Sequence, residues 1–111
     1  MGPVRIKDTR TSAQTLGAGG TLLLQVSGAD GVPPSATAVI ANVTVTNASA
    51  PSFLTVYPST ASRPLASDLN WVAGQTVPNL TIASLGTTGV ITIYNAAGSA
   101  DVVVDLFGYF S

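Results

Sequence analysis

Val39-Ile40-Ala41-Asn42-Val43-Thr44-Val45-Thr46 alternates without a break. Successive side chains of an extended chain point to opposite faces, so Val39, Ala41, Val43 and Val45 form one row and Ile40, Asn42, Thr44 and Thr46 the other. The first row suits a core and the second a neutral polar surface. That combination marks a half-buried β-strand.

The same period continues on both sides. Thr21 to Val26 reads as an earlier strand, closed by Ser27-Gly28-Ala29-Asp30-Gly31 and by Pro33-Pro34. Phe53 to Tyr57 follows and stops at Pro58. From Pro58 to Gln75 alternation fades, and the segment is expected to be a long connection lying across the sandwich rather than a strand, tied down by Leu69 and Trp71. Thr76 to Ser84 resumes extended structure, with Pro78 barring it from the middle of a sheet. Gly86-Thr87-Thr88-Gly89 reads as a hairpin turn into Val90 to Asn95, and a last strand runs from Ala100 to Phe110. On that strand Val102, Val104, Leu106, Gly108 and Phe110 are expected on one face, and Asp101, Val103, Asp105, Phe107 and Tyr109 on the other. Short strands at spacings of roughly ten residues predict an all-β fold. It is a two-sheet antiparallel β-sandwich, jelly-roll or immunoglobulin-like, with roughly seven to nine short strands and no substantial helix. Strand order is left open.

The chain has 111 residues, with four basic and five acidic side chains, no histidine and no cysteine, yet 46% of it is apolar. Residues 1–111 are expected to form a single β-sandwich module with a real core. No basic stripe is available to neutralise phosphates, which argues against nucleic acid as a partner. The apolar run Val102 to Phe107 is broken by Asp105 and falls far short of the about 20 residues a membrane helix requires, so no membrane insertion is expected. Met1-Gly2-Pro3 lacks the basic and apolar regions of a secretory signal, leaving a cytoplasmic protein or a module from within a longer secreted chain. A net charge of -1 protects a small domain poorly against self-association, which makes a free cytosolic monomer the less comfortable of the two.

Charge scarcity also bounds the chemistry. General acid and base work is most often done by histidine, so a hydrolase here would depend on Asp8, Asp30, Asp68, Asp101 and Asp105. A glycosidase holds two carboxylates about 5 to 10 Å apart, whereas Asp101 and Asp105, on one face of a strand, stand roughly 13 Å apart. Lys7, the sole lysine, has no motif around it to activate a serine. No enzymatic activity and no cofactor are expected. Ser67-Asp68-Leu69-Asn70 offers oxygen ligands for calcium, but one carboxylate is a thin complement, and an Asx-type turn accounts for the same residues. No metal site is expected.

Recognition is the remaining class. Trp71 sits in the connecting segment, where an indole serves either as a lid over the core or as a flat platform for a sugar ring; Tyr57, Tyr94 and Tyr109 carry the same ambiguity. Asp8 and Arg10 are expected to pair with each other, with Arg63 or with backbone at a strand end, and the alternative is that Arg10 or Arg63 clamps an anion. Asn42, Asn70, Asn79 and Asn95 occupy strands or strand edges, where asparagine is depleted, so each must bond backbone or line a polar groove. The candidate ligand-binding residues are Trp71, Asn70, Asp68, Arg63, Tyr57, Asn42 and Thr44. The charges fall at Arg5 to Arg10, Arg63 to Asp68 and Asp101 to Asp105, and are expected to make one ridge beside a broad neutral face.

A further pattern spans the whole chain: Pro3-Val4-Arg5-Ile6-Lys7-Asp8-Thr9-Arg10, Gly31-Val32-Pro33 through Thr46, Phe53-Leu54-Thr55-Val56-Tyr57-Pro58, Arg63-Pro64 with Ser67-Asp68-Leu69-Asn70, Gly74-Gln75-Thr76-Val77-Pro78-Asn79-Leu80, and Asp101 to Phe110. In this order the pieces resemble a domain found, often in tandem copies, in large secreted and surface proteins of actinobacteria such as streptomycetes. Lys7 departs from the apolar or aromatic residue usual in that family, and Asp68 from its Asn. The resemblance implies an extracellular or cell-surface, non-catalytic accessory module, sometimes appended to secreted hydrolases. It supplies no ligand or catalytic residue. A strand around Val4 beside the strand around Val102 would fit stringing of tandem copies. The expected function is a cell-surface adhesion module binding carbohydrate or a cell-wall polymer; the alternative is a structural spacer or a self-assembling, homo-oligomeric subunit.

Overall fold

The computed structural model describes residues 3–65 and 67–111. Met1 and Gly2, which opened the reading of the N-terminus, and Ala66, within the expected connection, lie outside the described residues. The elements are β1 (Val4–Asp8), a single helical turn α1 (Thr9–Ser12), β2 (Thr21–Gln25), β3 (Ala38–Thr46), β4 (Ser52–Pro58), β5 (Leu69–Trp71), β6 (Val77–Ser84), β7 (Val90–Asn95) and β8 (Asp101–Phe110). They form two four-stranded sheets, ordered β1-β8-β3-β6 and β2-β7-β4-β5.

The pairs β1–β8, β2–β7, β3–β6 and β4–β5 are all antiparallel. The chain is thus one long hairpin that turns back between β4 and β5, rolled so that successive pairs fall alternately in the two sheets. This is the jelly-roll wiring; an immunoglobulin sandwich would instead pair its first strand with its second. The expected neighbourhood of the first and last strands is realised, with Val4 opposite Leu106.

Alternation in β3 does what its sequence demands. Val39, Ala41, Val43 and Val45 are buried, and Ile40, Asn42, Thr44 and Thr46 are half-buried on the outside of the first sheet. The inner row packs in one core with Val102, Val104 and Leu106 of β8 and, from the second sheet, Leu22, Leu54, Ile91 and Ile93. Each fully buried aliphatic side chain contributes roughly 1.5–3 kcal/mol of transfer free energy. Pro78 lies on β6, an edge strand, where its missing N–H costs no ladder bond on the open side.

Four expectations need correction. First, the segment from Pro58 to Gln75 is not strand-free: Leu69–Trp71 adds β5 to the edge of the second sheet, with Leu54 opposite Leu69 and Ser52 opposite Trp71. Three residues are too few for a period-two signal. Second, Gly86–Gly89 is not a hairpin turn, because β6 and β7 belong to different sheets. It is a corner, closed by the Gly89 N–H donating to the Leu85 carbonyl at 3.1 Å. Third, the faces of β8 exchange near its end. Ile40 pairs with Gly108 but Ala41 with Leu106, so Phe107 is an extra, bulged residue. Gly108 and Phe110 therefore leave the core face that Leu106 occupies. Fourth, the charges do not form one ridge: Arg5, Asp8, Asp101 and Asp105 lie on β1 and β8 of the first sheet, whereas Arg63 and Asp68 belong with the second.

Candidate functional site

On β4 the side chains of Phe53, Thr55 and Tyr57 face away from the core, opposite Asn70, Tyr94 and Thr92 respectively. An outer face would normally be wet, yet Thr55 and Thr92 are buried. Arg63, from the connection that follows β4, reaches onto this face. The Arg63 guanidinium carbon sits 3.9 Å above the centre of the Tyr94 ring, and the Phe53 and Tyr94 rings lie 6.2 Å apart at 52°. Both contacts are of the kind an aromatic quadrupole favours.

Asp68 holds the returning end of the connection. Its backbone N–H donates to the Leu54 carbonyl at 2.8 Å, and its carboxylate accepts the Val56 N–H at 2.7 Å. The Asp68 carbonyl in turn accepts from the Asn79 amide at 2.7 Å, linking the edges of the two sheets. Beside it, Asn70 Nδ2 donates to the Ser67 hydroxyl at 3.0 Å. Between the anchored ends, Phe53, Arg63, Pro64, Leu65 and Ser67 line an open cleft of about 210 Å³. That is below the roughly 300 Å³ at which a site encloses a whole small molecule. The cleft suits one ring or one residue of a longer ligand.

The seven candidate residues divide. Arg63 lines the cleft, Asn70 lies opposite Phe53 on β5, Asp68 is bound to the Val56 N–H, and Tyr57 lies further along β4, opposite Thr92, outside the cleft lining. Trp71 does not present a platform: it is 5% exposed, and its Nε1 donates to the Ala50 carbonyl at 3.1 Å, which makes it the lid over the core. Asn42 and Thr44 are on the other sheet, where the Asn42 amide donates to the Thr44 hydroxyl at 3.1 Å. Sequence reasoning did not select Phe53, Pro64, Leu65 or Ser67. Phe53 was findable, because it shares the outer parity of β4 with Tyr57; the other three belong to a segment without periodicity.

The remaining asparagines bond within the fold. Asn95 is fully buried, and its amide donates to the carbonyls of Gly17 and Gly98 at 3.2 and 3.0 Å while its oxygen accepts from Ser52 at 2.9 Å. On β1 and β8 the charges pair locally. Arg5 donates through Nε to Asp105 at 2.9 Å, and Arg10 closes on Asp8 at 2.8 Å. Hydrogen bonds from Arg10 lower the Asp8 carboxyl to a pKa of about 2. Asp101 is buried, which pushes its pKa up. Donation from Thr15 at 2.7 Å, Asn47 at 3.0 Å and Thr9 at 2.8 Å together outweighs that burial and holds it below the ordinary carboxylate value. Among the described residues no three His, Cys, Asp or Glu side chains gather as a metal-ion site, and no helix is long and apolar enough to cross a membrane. No protein-family model matches the chain, and no curated protein matches it either.

Proposed function

We propose that the protein is a non-catalytic extracellular module that attaches to carbohydrate or a cell-wall polymer through the outer face of its second sheet. The observation that carries this reading is the open cleft between Phe53 and Arg63, Pro64, Leu65 and Ser67. A phenyl ring offers the apolar surface that a sugar ring stacks on, while Arg63 offers donors at its rim. The actinobacterial resemblance supports the extracellular, accessory role. Relative to the reading from sequence, the binding surface moves from Trp71 and the neutral face of β3 to Phe53 and Arg63. A glycan array and sedimentation with isolated cell-wall fractions test it: the wild type binds at least one carbohydrate, and Phe53→Ala, folded by its melting curve, loses that binding. Absence of binding to every glycan and wall fraction would sink the proposal.

A second reading rests on a different surface. Outside the first sheet, Leu80 and Ile82 are 61% and 66% exposed, and Phe110 beyond the β8 bulge is 48% exposed. Apolar side chains exposed in this way favour contact with a second copy of the chain. Light scattering after size exclusion distinguishes the readings. A concentration-dependent dimer abolished by Ile82→Lys supports self-association, and a monomer at millimolar concentration counts against it.

A further inference from the structure

Three of the four cations are arginines, and two of these are neutralised. Arg5 is held by Asp105 at 2.9 Å and Arg10 by Asp8 at 2.8 Å. Arg63 differs: among the described residues it has no carboxylate within ion-pair distance. The acid closest to it in sequence, Asp68, is committed to the Val56 N–H at 2.7 Å. The guanidinium is instead laid on the Tyr94 ring at 3.9 Å, at the wall of the cleft. Contact with the ring face holds the guanidinium at the cleft wall while its N–H donors are unused by any carboxylate among the described residues, and a guanidinium binds a planar anion through two parallel hydrogen bonds. Phe53 supplies an apolar wall in the same cleft, and the Ser67 hydroxyl on its lining donates to the Asn70 side-chain oxygen at 3.2 Å.

We infer that the cleft recognises a carboxylate-bearing sugar, with Arg63 on the carboxylate and Phe53 against the ring. This rests on the carbohydrate-binding reading and narrows it to acidic glycans. The small volume fits one acidic residue of a polymer, so affinity for a single residue is weak and rises when several modules act on one strand.

The test uses immobilised uronic-acid oligosaccharides, the same oligosaccharides as methyl esters, and neutral oligosaccharides of matching linkage. The probes are presented to the wild type, Arg63→Gln, Arg63→Lys, Phe53→Ala and Arg5→Gln. Arg5→Gln removes an equal charge outside the cleft and controls for net charge. The expected result is binding to the free acid, on the order of tenfold or more weaker for the methyl ester and for Arg63→Gln, partly retained by Arg63→Lys, and unchanged in Arg5→Gln. Equal binding of acid, ester and neutral forms, lost in Phe53→Ala but not in Arg63→Gln, overturns the acidic specificity while leaving the carbohydrate reading standing. A loss in Arg5→Gln as large as in Arg63→Gln also overturns it, by reducing the effect to net charge. Absence of binding to every probe overturns both.

Discussion

Asp101 ends one turn and begins β8, and its carboxylate gathers Thr9, Thr15 and Asn47 from three separate segments. Thr9 also accepts the Val102 N–H at 2.8 Å, so the knot joins the only helical turn among the described residues to the start of the last strand. Removing the carboxylate strands buried donors, and hydrogen bonds to charged groups each contribute about 1.5–3 kcal/mol. Asp101→Ala is expected to destabilise by roughly 2–4 kcal/mol in urea unfolding without altering carbohydrate binding. Trp71 gives a second expectation at this scale. As a buried lid, Trp71→Ala should cost about 3–5 kcal/mol, and Trp71→Phe much less, since it keeps most of the packing and loses only the bond to Ala50. A Trp71→Ala protein as stable as the wild type would show that the indole is not buried. Sequence left lid and platform both open for Trp71, because an isolated aromatic outside a periodic stretch has no parity to place it. Asp101 was visible only as one of five carboxylates, because its partners are distant in the chain.

At the scale of elements, the strands with sustained alternation were legible and their irregularities were not. β3 appears from residues 38 to 46 with the predicted inward row. The β8 pattern was also read correctly up to Leu106, but the bulge at Phe107 inverts the parity beyond it, and a run of Phe, Gly and Tyr contains nothing that announces an extra residue. β5 was missed because its pairing with β4 is long-range, set by Asp68 binding β4 rather than by its own composition. The 86–89 corner was recognised as a turn but given the wrong partner, since a glycine-rich turn looks alike within and between sheets. Gly89 has φ 72°, and a Cβ there would run into the Ser27 side chain. Gly89→Ala is therefore expected to destabilise by more than about 1 kcal/mol, measured by thermal melting, through both backbone strain and the clash. A neutral outcome would mean that the corner re-forms around the new side chain.

For the molecule as a whole, the rolled hairpin separates two outer faces with different prospects: a sheet carrying exposed Leu80 and Ile82, and a sheet carrying Arg63 on Tyr94 and the cleft beside Phe53. Two-sheet, all-β architecture was readable because burial imposes period two on every long strand. The cleft was not, because it depends on where an aperiodic connection lands. Acid stability also belongs at this scale. The folded pKa values of Asp8 and Asp101 are depressed, so the stability they confer is present above the unfolded carboxylate value, about 3.9, and is lost as pH falls through the folded values, about 2 for Asp8. There is no histidine to titrate between pH 5 and 8. The urea midpoint should be flat from pH 5 to 8 and fall below about pH 4, and Asp101→Asn should shorten that acid limb; a midpoint that changes across the neutral range would contradict this assignment. Whether the second sheet's outer face binds is read from amide chemical shifts as an acidic cell-wall polysaccharide is titrated in. Perturbations are expected to concentrate at Phe53, Arg63, Leu65, Ser67 and Tyr94, with Asn42, Thr44, Leu80 and Ile82 unmoved. Perturbations confined to those four residues of the first sheet would contradict it.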